Sequence, residues 1–152
     1  MKKAISKLES ARTILRLAEP DDVTAIIKYY TSNMVHLAPF EPIKAENFYT
    51  QSYWCQEIKA RLDAFNADQS LKLFLFEKQY SKVIIGSINF ANFVRGVFQS
   101  CTLGYSVGVA FEGKGYMSEA LKVAISYVFA ELNMHRIMAA CAFHITNAVV
   151  YC

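Results

Sequence analysis

The chain has 152 residues, of which 54% are hydrophobic and 19% are charged. This length suits a single domain, and this composition excludes intrinsic disorder, which needs low hydrophobicity and high net charge. Lysine and arginine number 16 against 13 aspartates and glutamates, and the basic residues are scattered apart from Lys2, Lys3 and Lys7. Because a nucleic-acid-binding surface concentrates more positive charge, we expect no nucleic-acid partner.

The cysteines and the hydropathy pattern exclude further classes of protein. The four cysteines, at positions 55, 101, 141 and 152, show no C-x-x-C spacing, so we expect reduced thiols and no bound metal. No run approaches the ~20 apolar residues of a membrane span, and the basic N-terminus lacks the apolar segment of a signal peptide. The sequence therefore predicts a cytoplasmic protein with no membrane partner.

The first half of the chain predicts one strand and two helices. Residues 13–17 alternate in polarity and predict a strand. The residues Pro-Asp-Asp at 20–22 predict a helix start, because proline fits the first turn and carboxylates suit the positive helix end. After prolines at 39 and 42, a longer helix is predicted over residues 45–65.

The second half of the chain predicts strands around one strong helix. Strands are predicted over residues 71–76, 83–90 and 101–109, the first two joined by a turn. Apolar residues at helical spacing then predict a helix over residues 117–132, with Asn133 as its C-cap.

The final predicted strand spans residues 136–142. It is largely apolar, as a central strand covered on both faces would be. The element order is therefore β-α-α-β-β-β-α-β. This order predicts a single domain of the α/β (α+β) class, with a mixed sheet and helices on its faces.

The chemistry in this sequence is concentrated in the turn Phe-Glu-Gly-Lys-Gly-Tyr at residues 111–116. Gly113 and Gly115 let the backbone approach a ligand, and the following helix presents unpaired N–H groups to an anion. A purely structural turn with positive φ also explains the glycines. A P-loop is disfavoured because Gly115 stands where Ser or Thr is required, and a dinucleotide fingerprint fails because Ser118 occupies its third glycine position.

A third interpretation, a pyrophosphate site for CoA, rests on a resemblance. The segments that carry it are ILRLAEPDD, HLAPFEP, IIGSINFANFVRG, LGYSVG, FEGKGYMSEALKVAISYVF and LNMHRIMAA. Together they make the chain similar to the GCN5-related N-acetyltransferases (GNAT), and most of all to the RimJ/RimL branch, which acetylates N-terminal residues of ribosomal proteins. The resemblance covers residues 14–140 and implies the GNAT acyl-CoA N-acyltransferase fold.

The resemblance also implies how acetyl-CoA would bind. In the family, the strand before the loop separates from its neighbour and bonds the pantetheine arm through its backbone, while loop N–H groups hold the pyrophosphate. No metal takes part. The matching residues of this chain are Tyr105, Ser106, Val107, Gly108, Gly113, Lys114, Gly115, Tyr116, Met117 and Ser118.

The implied reaction is direct transfer of an acetyl group from the CoA thioester to an amine. An N-terminal amine has a pKa of about 8, so a modest general base is sufficient. A backbone N–H of residues 105–107 would meet the oxyanion. The catalytic candidates are Glu41 and Tyr105, although a surface or capping role also explains Glu41 and a buried core position also explains Tyr105. His36 and His135 are expected to be lone packing or surface histidines.

Two features depart from the family pattern. Glu112 stands where glutamine or arginine is usual, and we expect its carboxylate to point away from the pyrophosphate. The likeness ends after residue 140, where the family continues with a Pro-His-Asn-x-Arg-Ser segment, a helix and two strands. The degenerate codons of residues 143–149, shifted by two nucleotides, admit Pro-His-Asn-Glu-Arg-Ser. We therefore predict an incomplete N-acetyltransferase domain at residues 13–142 and an off-pattern tail at residues 143–152, for which a frameshift is the leading explanation and a genuinely short variant is the alternative.

The sequence thus predicts an N-acetyltransferase that uses acetyl-CoA and acts on the N-terminal amine of a ribosomal protein, with acetyl transfer weak or absent because of the missing segment. A non-catalytic acyl-CoA-binding remnant and an enzyme for small-molecule amines are the alternatives. Aromatic residues at 47–54 fit either an acceptor groove or helix packing. The apolar final strand also predicts self-association through an exposed sheet edge.

Overall fold

This computed structural model describes residue 5 and residues 7–139. The centre of the fold is a mixed β-sheet. Its six strands follow one another in chain order, and neighbours are antiparallel except for the parallel pair formed by the last two. The strands are β1 Leu8–Glu9, β2 Thr13–Arg16, β3 Leu71–Glu77, β4 Tyr80–Val94, β5 Ser100–Val107 and β6 Arg136–Ala139. The predicted α/β class with a mixed sheet is confirmed.

Helices cover both faces of this sheet. α1 (Val23–Ser32), the short α2 (Met34–Leu37) and α3 (Gln51–Asn66) lie between β2 and β3, and α4 (Tyr116–Ala130) connects β5 to β6. The last two strands are parallel because a helical crossover of this kind returns the chain in its original direction. Within the described residues, no helix is long and apolar enough to cross a membrane.

Alternation along the strands divides the apolar core into two layers. Leu71 and Leu73 of β3 face α4 and pack in the same cluster as Val128 of that helix. Phe74 and Phe76 face the other way and pack in a second cluster with residues of α1 and α3. The sheet therefore separates the α4 layer from the layer formed by α1 to α3.

Among the described residues, the pairing of β5 with β6 extends over the first half of β5. Residues 100–103 pair with residues 136–139, whereas residues 104–107 continue the ladder with β4 on their other side. Within the described part of the chain, one backbone edge of residues 104–107 thus has no strand beside it. This is the segment where the resemblance expects the pantetheine arm.

The helix boundaries differ from the sequence prediction where side chains cap the helices. The helix expected over residues 45–65 begins only at Gln51, because the Thr50 hydroxyl accepts the Tyr53 N–H at 3.2 Å. The C-cap of α4 is Glu131 and not Asn133, which takes a left-handed φ of 55° two residues later.

The strand boundaries also differ from the prediction. The sequence predicts that the last strand is covered on both faces, and this is wrong for its described residues: β6 is the outermost strand, and its Arg136 and Met138 are exposed. The two-residue strand β1 is too short for a periodic signal and is not predicted. Residues 140–142 of the predicted strand and the predicted tail at 143–152 lie outside the described residues.

Candidate active site

The glycine-rich turn leads directly from β5 into the N-terminus of α4. Gly113 and Gly115 have φ angles of 69° and 81°, left-handed values that a side chain would strain. Gly115 is the N-cap of α4, and no side chain caps this helix. Because the first N–H groups of a helix have no partner within it, the turn and the positive helix end are available to an anion.

The side chains of the turn divide between solvent and core. Lys114 and Ser118 are exposed, whereas Tyr116 and Met117 pack against the apolar layer under α4. The Met117 methyl carbon lies 3.4 Å from where a Cβ on Gly86 would be. The side chains of Tyr116 and Met117 therefore build the fold and leave only their backbone groups for a ligand.

Arg12, which precedes β2, contacts the glycine-rich turn and the first turn of α4. Its guanidinium donates to the Lys114 carbonyl oxygen at 2.9 Å and lies 3.4 Å from the Glu119 carboxylate. It also covers the Tyr116 ring at 4.1 Å from the centroid, and the Tyr116 hydroxyl donates to Glu77 at 3.3 Å. These contacts connect the turn to β2 and β3 and fix its shape.

A cavity of about 560 Å³ lies between the sheet and the layer of α1 to α3. Its volume is in the range of small-molecule sites. Trp54 is buried in its wall and stacks on Tyr30 with ring centroids 5.4 Å apart. Phe48, Tyr53 and Trp54 pack among the helices and also line the cavity, so the helix-packing interpretation is confirmed and an acceptor groove stays a prediction.

Hydroxyl groups connect the sheet side of this cavity to α1. The Ser106 hydroxyl lies 2.8 Å from the Tyr29 hydroxyl and 3.1 Å from the Ser87 hydroxyl. Burial raises the pKa of Tyr29, so its hydroxyl stays protonated. The side-chain Oδ1 of Asn33 accepts the Val109 N–H at 2.9 Å, which fixes the end of α1 to the chain just after β5.

Acidic and basic side chains also line the cavity, and most of them form pairs. Three pairs lie at 2.5–2.8 Å: His36 with Glu112, Lys44 with Glu41 and Arg61 with Glu57. Lys72 is outside these pairs, and burial lowers its pKa to about 8. Within the described residues, no group of three or more His, Cys, Asp or Glu side chains forms a metal-ligand cluster.

The two catalytic candidates both line the cavity, in different settings. Glu41 follows the turn after α2, and its carboxylate lies 2.5 Å from the Lys44 amine. Tyr105 is 41% exposed, so the prediction of a buried core position is wrong for this residue. Since Ser106 faces α1, strand alternation turns the Tyr105 ring towards the α4 face.

The structure brings only part of the predicted CoA site to this cavity. Tyr105, Ser106 and Val107 line it, whereas residues 113–118 lie at the N-terminus of α4 and do not. Glu112 lines the cavity and connects the two regions, because its carboxylate extends to His36.

The sequence does not reveal some of the residues of this site. His36 is not a lone histidine, since its Nε2 lies 2.8 Å from Glu112, a contact that only the fold creates. His135 is exposed, as expected for a surface histidine. Lys72 is missed entirely, although a lysine between Leu71 and Leu73 in an otherwise apolar strand is a signal that could have found it.

Most of the chain is similar to a known domain family and to a known enzyme. Residues 12–147 match the acetyltransferase (GNAT) domain. The chain is 38% identical over 133 residues to the ribosomal protein uS5-alanine N-acetyltransferase of Escherichia coli (strain K12). The aligned residues cover 88% of this chain and 68% of that protein.

Solved structures show the same fold. Ribosomal-protein-S5-alanine acetyltransferase from Vibrio fischeri matches with a TM-score of 0.82 at 30% identity, over 89% of this chain and 73% of that one. RimJ from Mycobacterium smegmatis, in complex with CoA-disulfide, matches with a TM-score of 0.84 over 93% of this chain and 70% of that one. At 19% identity, the second match shows the fold alone.

Proposed function

The chain belongs to the GNAT family of N-acetyltransferases, and from this premise we propose that its donor is acetyl-CoA and its acceptor the N-terminal amine of a ribosomal protein. The observation that carries the proposal is the position of β5. Its residues 104–107 pair with β4 on one edge, its end leads to the uncapped N-terminus of α4, and its residues 103–107 line a cavity. An acceptor on the ribosome would place the reaction in the cytoplasm.

The residues present fit the chemical groups of CoA. The left-handed turn at Gly113 and Gly115 leads into a helix end with no side-chain cap, which suits a pyrophosphate, and the exposed Lys114 adds a cation. Within the described part of the chain, residues 104–107 have no strand beside the edge that faces away from β4, and the backbone groups of this edge suit the amide groups of a pantetheine arm. We therefore keep the assignment of all ten cofactor-binding residues, with Tyr116 and Met117 acting through their backbone.

The acceptor would enter from the cavity side. Once its ammonium group has lost a proton, the amine nitrogen attacks the thioester carbonyl carbon, the carbon–sulfur bond breaks and CoA leaves as a thiol after taking up the second amine proton. A backbone N–H of β5 would stabilise the oxyanion that develops in between. Glu41 is better placed than Tyr105 to accept the first proton, because its carboxylate lies in the wall that the amine would pass.

Calorimetry with CoA and mass spectrometry of a ribosomal-protein N-terminal peptide, incubated with acetyl-CoA, test this proposal. We expect CoA to bind and the peptide to gain one acetyl group. Binding without transfer would instead support a non-catalytic acyl-CoA-binding protein, and transfer to a polyamine but not to the peptide would support a small-molecule acceptor. No binding of CoA would refute the proposal.

A further inference from the structure

The cavity contains one cation that has no acidic partner among the described residues. Each lining carboxylate, Glu41, Glu57 and Glu112, already lies beside a basic side chain. Lys72 contacts the Phe74 ring, with its amine 5.6 Å from the centroid, and no carboxylate. A poorly hydrated ammonium without a counter-ion is unfavourable, so its place in a cavity wall points to a negative group on the ligand.

Lys72 lies in a row of residues that crosses the sheet to the proposed donor strand. The antiparallel registers place Lys72 opposite Asn89 and Asn89 opposite Gly104. Because opposite residues have Cα atoms ~4.5–5.5 Å apart, Lys72 lies roughly 10 Å from Gly104. Gly104 is the first residue of β5 beyond those that pair with the described residues of β6. The row therefore ends where the acetyl group would be delivered.

Asn89 gives a second, independent indication of a ligand in this row. Its side-chain oxygen is buried and has no hydrogen-bond partner among the described residues, and it lines the same cavity. The indole N–H of Trp54, another lining residue, is likewise buried without a partner. A peptide backbone carries both the N–H donor and the carbonyl acceptor that these two groups lack.

We propose that Lys72 binds an acidic side chain near the N-terminus of the acceptor, while Asn89 accepts an N–H from the same peptide. The inference rests on the proposed function and narrows its acceptor class to N-termini with Asp or Glu at the second or third position. The other charged groups that act on Lys72 are Glu41, Lys44, Glu57 and Arg61, which pair with one another. A bound carboxylate would raise the lowered pKa of Lys72 towards its ordinary value.

The test compares C-terminally amidated peptides that begin with alanine and carry Glu or Gln at position 2 or at position 3. At one of these two positions, we expect the wild-type kcat/KM to be about ten-fold higher for the Glu peptide than for the Gln peptide. This is the size of effect that one charge-assisted contact gives. Lys72→Met should remove this preference and Lys72→Arg should keep it. Lys82→Met, which removes an exposed lysine of β4, is the matched control and should leave the preference unchanged.

The pH profile separates binding from proton transfer. If Lys72 binds the carboxylate as a cation, the preference for the Glu peptide is greatest below about pH 8 and disappears at higher pH, as Lys72 loses its proton. Equal kcat/KM values for each peptide pair in the wild type would overturn the proposal. So would a Lys72→Arg variant that loses activity towards both peptides of a pair, because that result assigns Lys72 a role as a base.

The same assays distinguish this inference from the proposed function. Acetylation of Glu and Gln peptides at equal rates overturns the inference and leaves the proposed function intact. If the wild type binds no CoA and acetylates none of the peptides, both are refuted.

Discussion

The glycine-rich turn at residues 111–116 and the cavity beside β5, where we propose that the donor and the acceptor bind, are built from different parts of the chain. The turn consists of backbone groups, set by two left-handed glycines and the uncapped end of α4. The cavity is lined by residues of α1, α2, α3 and four strands, and aromatic stacking and ion pairs hold its walls. The turn should therefore tolerate exchanges of side chain but not of backbone conformation, and the cavity should behave in the opposite way.

The largest expected effect is on the cavity, from Trp54→Ala. Trp54 is 5% exposed and contacts the rings of Tyr30, Phe48 and Phe74. Its truncation should lower the free energy of unfolding by about 3–5 kcal/mol, which urea denaturation measures. Phe98→Ala removes an exposed aromatic ring and should change stability by less than about 0.5 kcal/mol. Similar losses in both variants would contradict a packed aromatic wall.

Two glycines in the left-handed conformation test whether CoA binding depends on the backbone conformation of the turn at residues 111–116. Gly113 and Gly96 have φ angles of 69° and 75°, and a Cβ on either would meet nothing within 4 Å. Changing either to alanine should cost about 1–2 kcal/mol of stability, because a Cβ in the left-handed conformation lies too close to the following carbonyl oxygen. Calorimetry should show that only Gly113→Ala raises the Kd for CoA, by about ten-fold. An equal Kd in the two variants would separate the turn from CoA binding.

Arg12 is the side chain on which the shape of the turn depends most. Arg12→Ala removes the hydrogen bond to Lys114 and the contact with Tyr116, so the Kd for CoA should rise about five-fold, as for loss of one charge-assisted contact. As the control, Lys122→Ala removes an exposed positive charge from α4 and should leave the Kd for CoA within about two-fold of the wild-type value. If both variants weaken CoA binding equally, the effect of Arg12 is general electrostatics.

The smallest expected effect is a gain in stability from Lys72→Met. Burial lowers the pKa of Lys72 from 10.5 to about 8, so the unfolded chain binds more protons between these pH values and the wild type gains stability as the pH rises. The variant should be more stable by about 1 kcal/mol at pH 7, less than the full shift implies because the amine reaches the cavity. This advantage should shrink towards pH 10 in urea denaturation, and an advantage independent of pH would contradict the lowered pKa.

The same contrast explains what the sequence predicts and what it does not. Glycines and a helical repeat are local signals, so the turn and the helix at Tyr116–Ala130 were predicted within a few residues. Strands β3 and β4 are also predicted from a local signal, the pattern of apolar residues along each strand. The cavity depends on register and packing, which place Lys72 beside Asn89 and His36 beside Glu112 across long separations in sequence. Only the folded chain brings these residues together.

The position of the added acetyl group tests the central claim most directly. A peptide with an N-terminal alanine, an acidic residue next to it and an internal lysine is incubated with acetyl-CoA, and tandem mass spectrometry locates the modification. We expect the acetyl group on the alanine amine, with none on the lysine side chain and none when the N-terminus is blocked. Acetylation of the lysine alone, or no acetylation in the presence of bound acetyl-CoA, would contradict an N-terminal acetyltransferase.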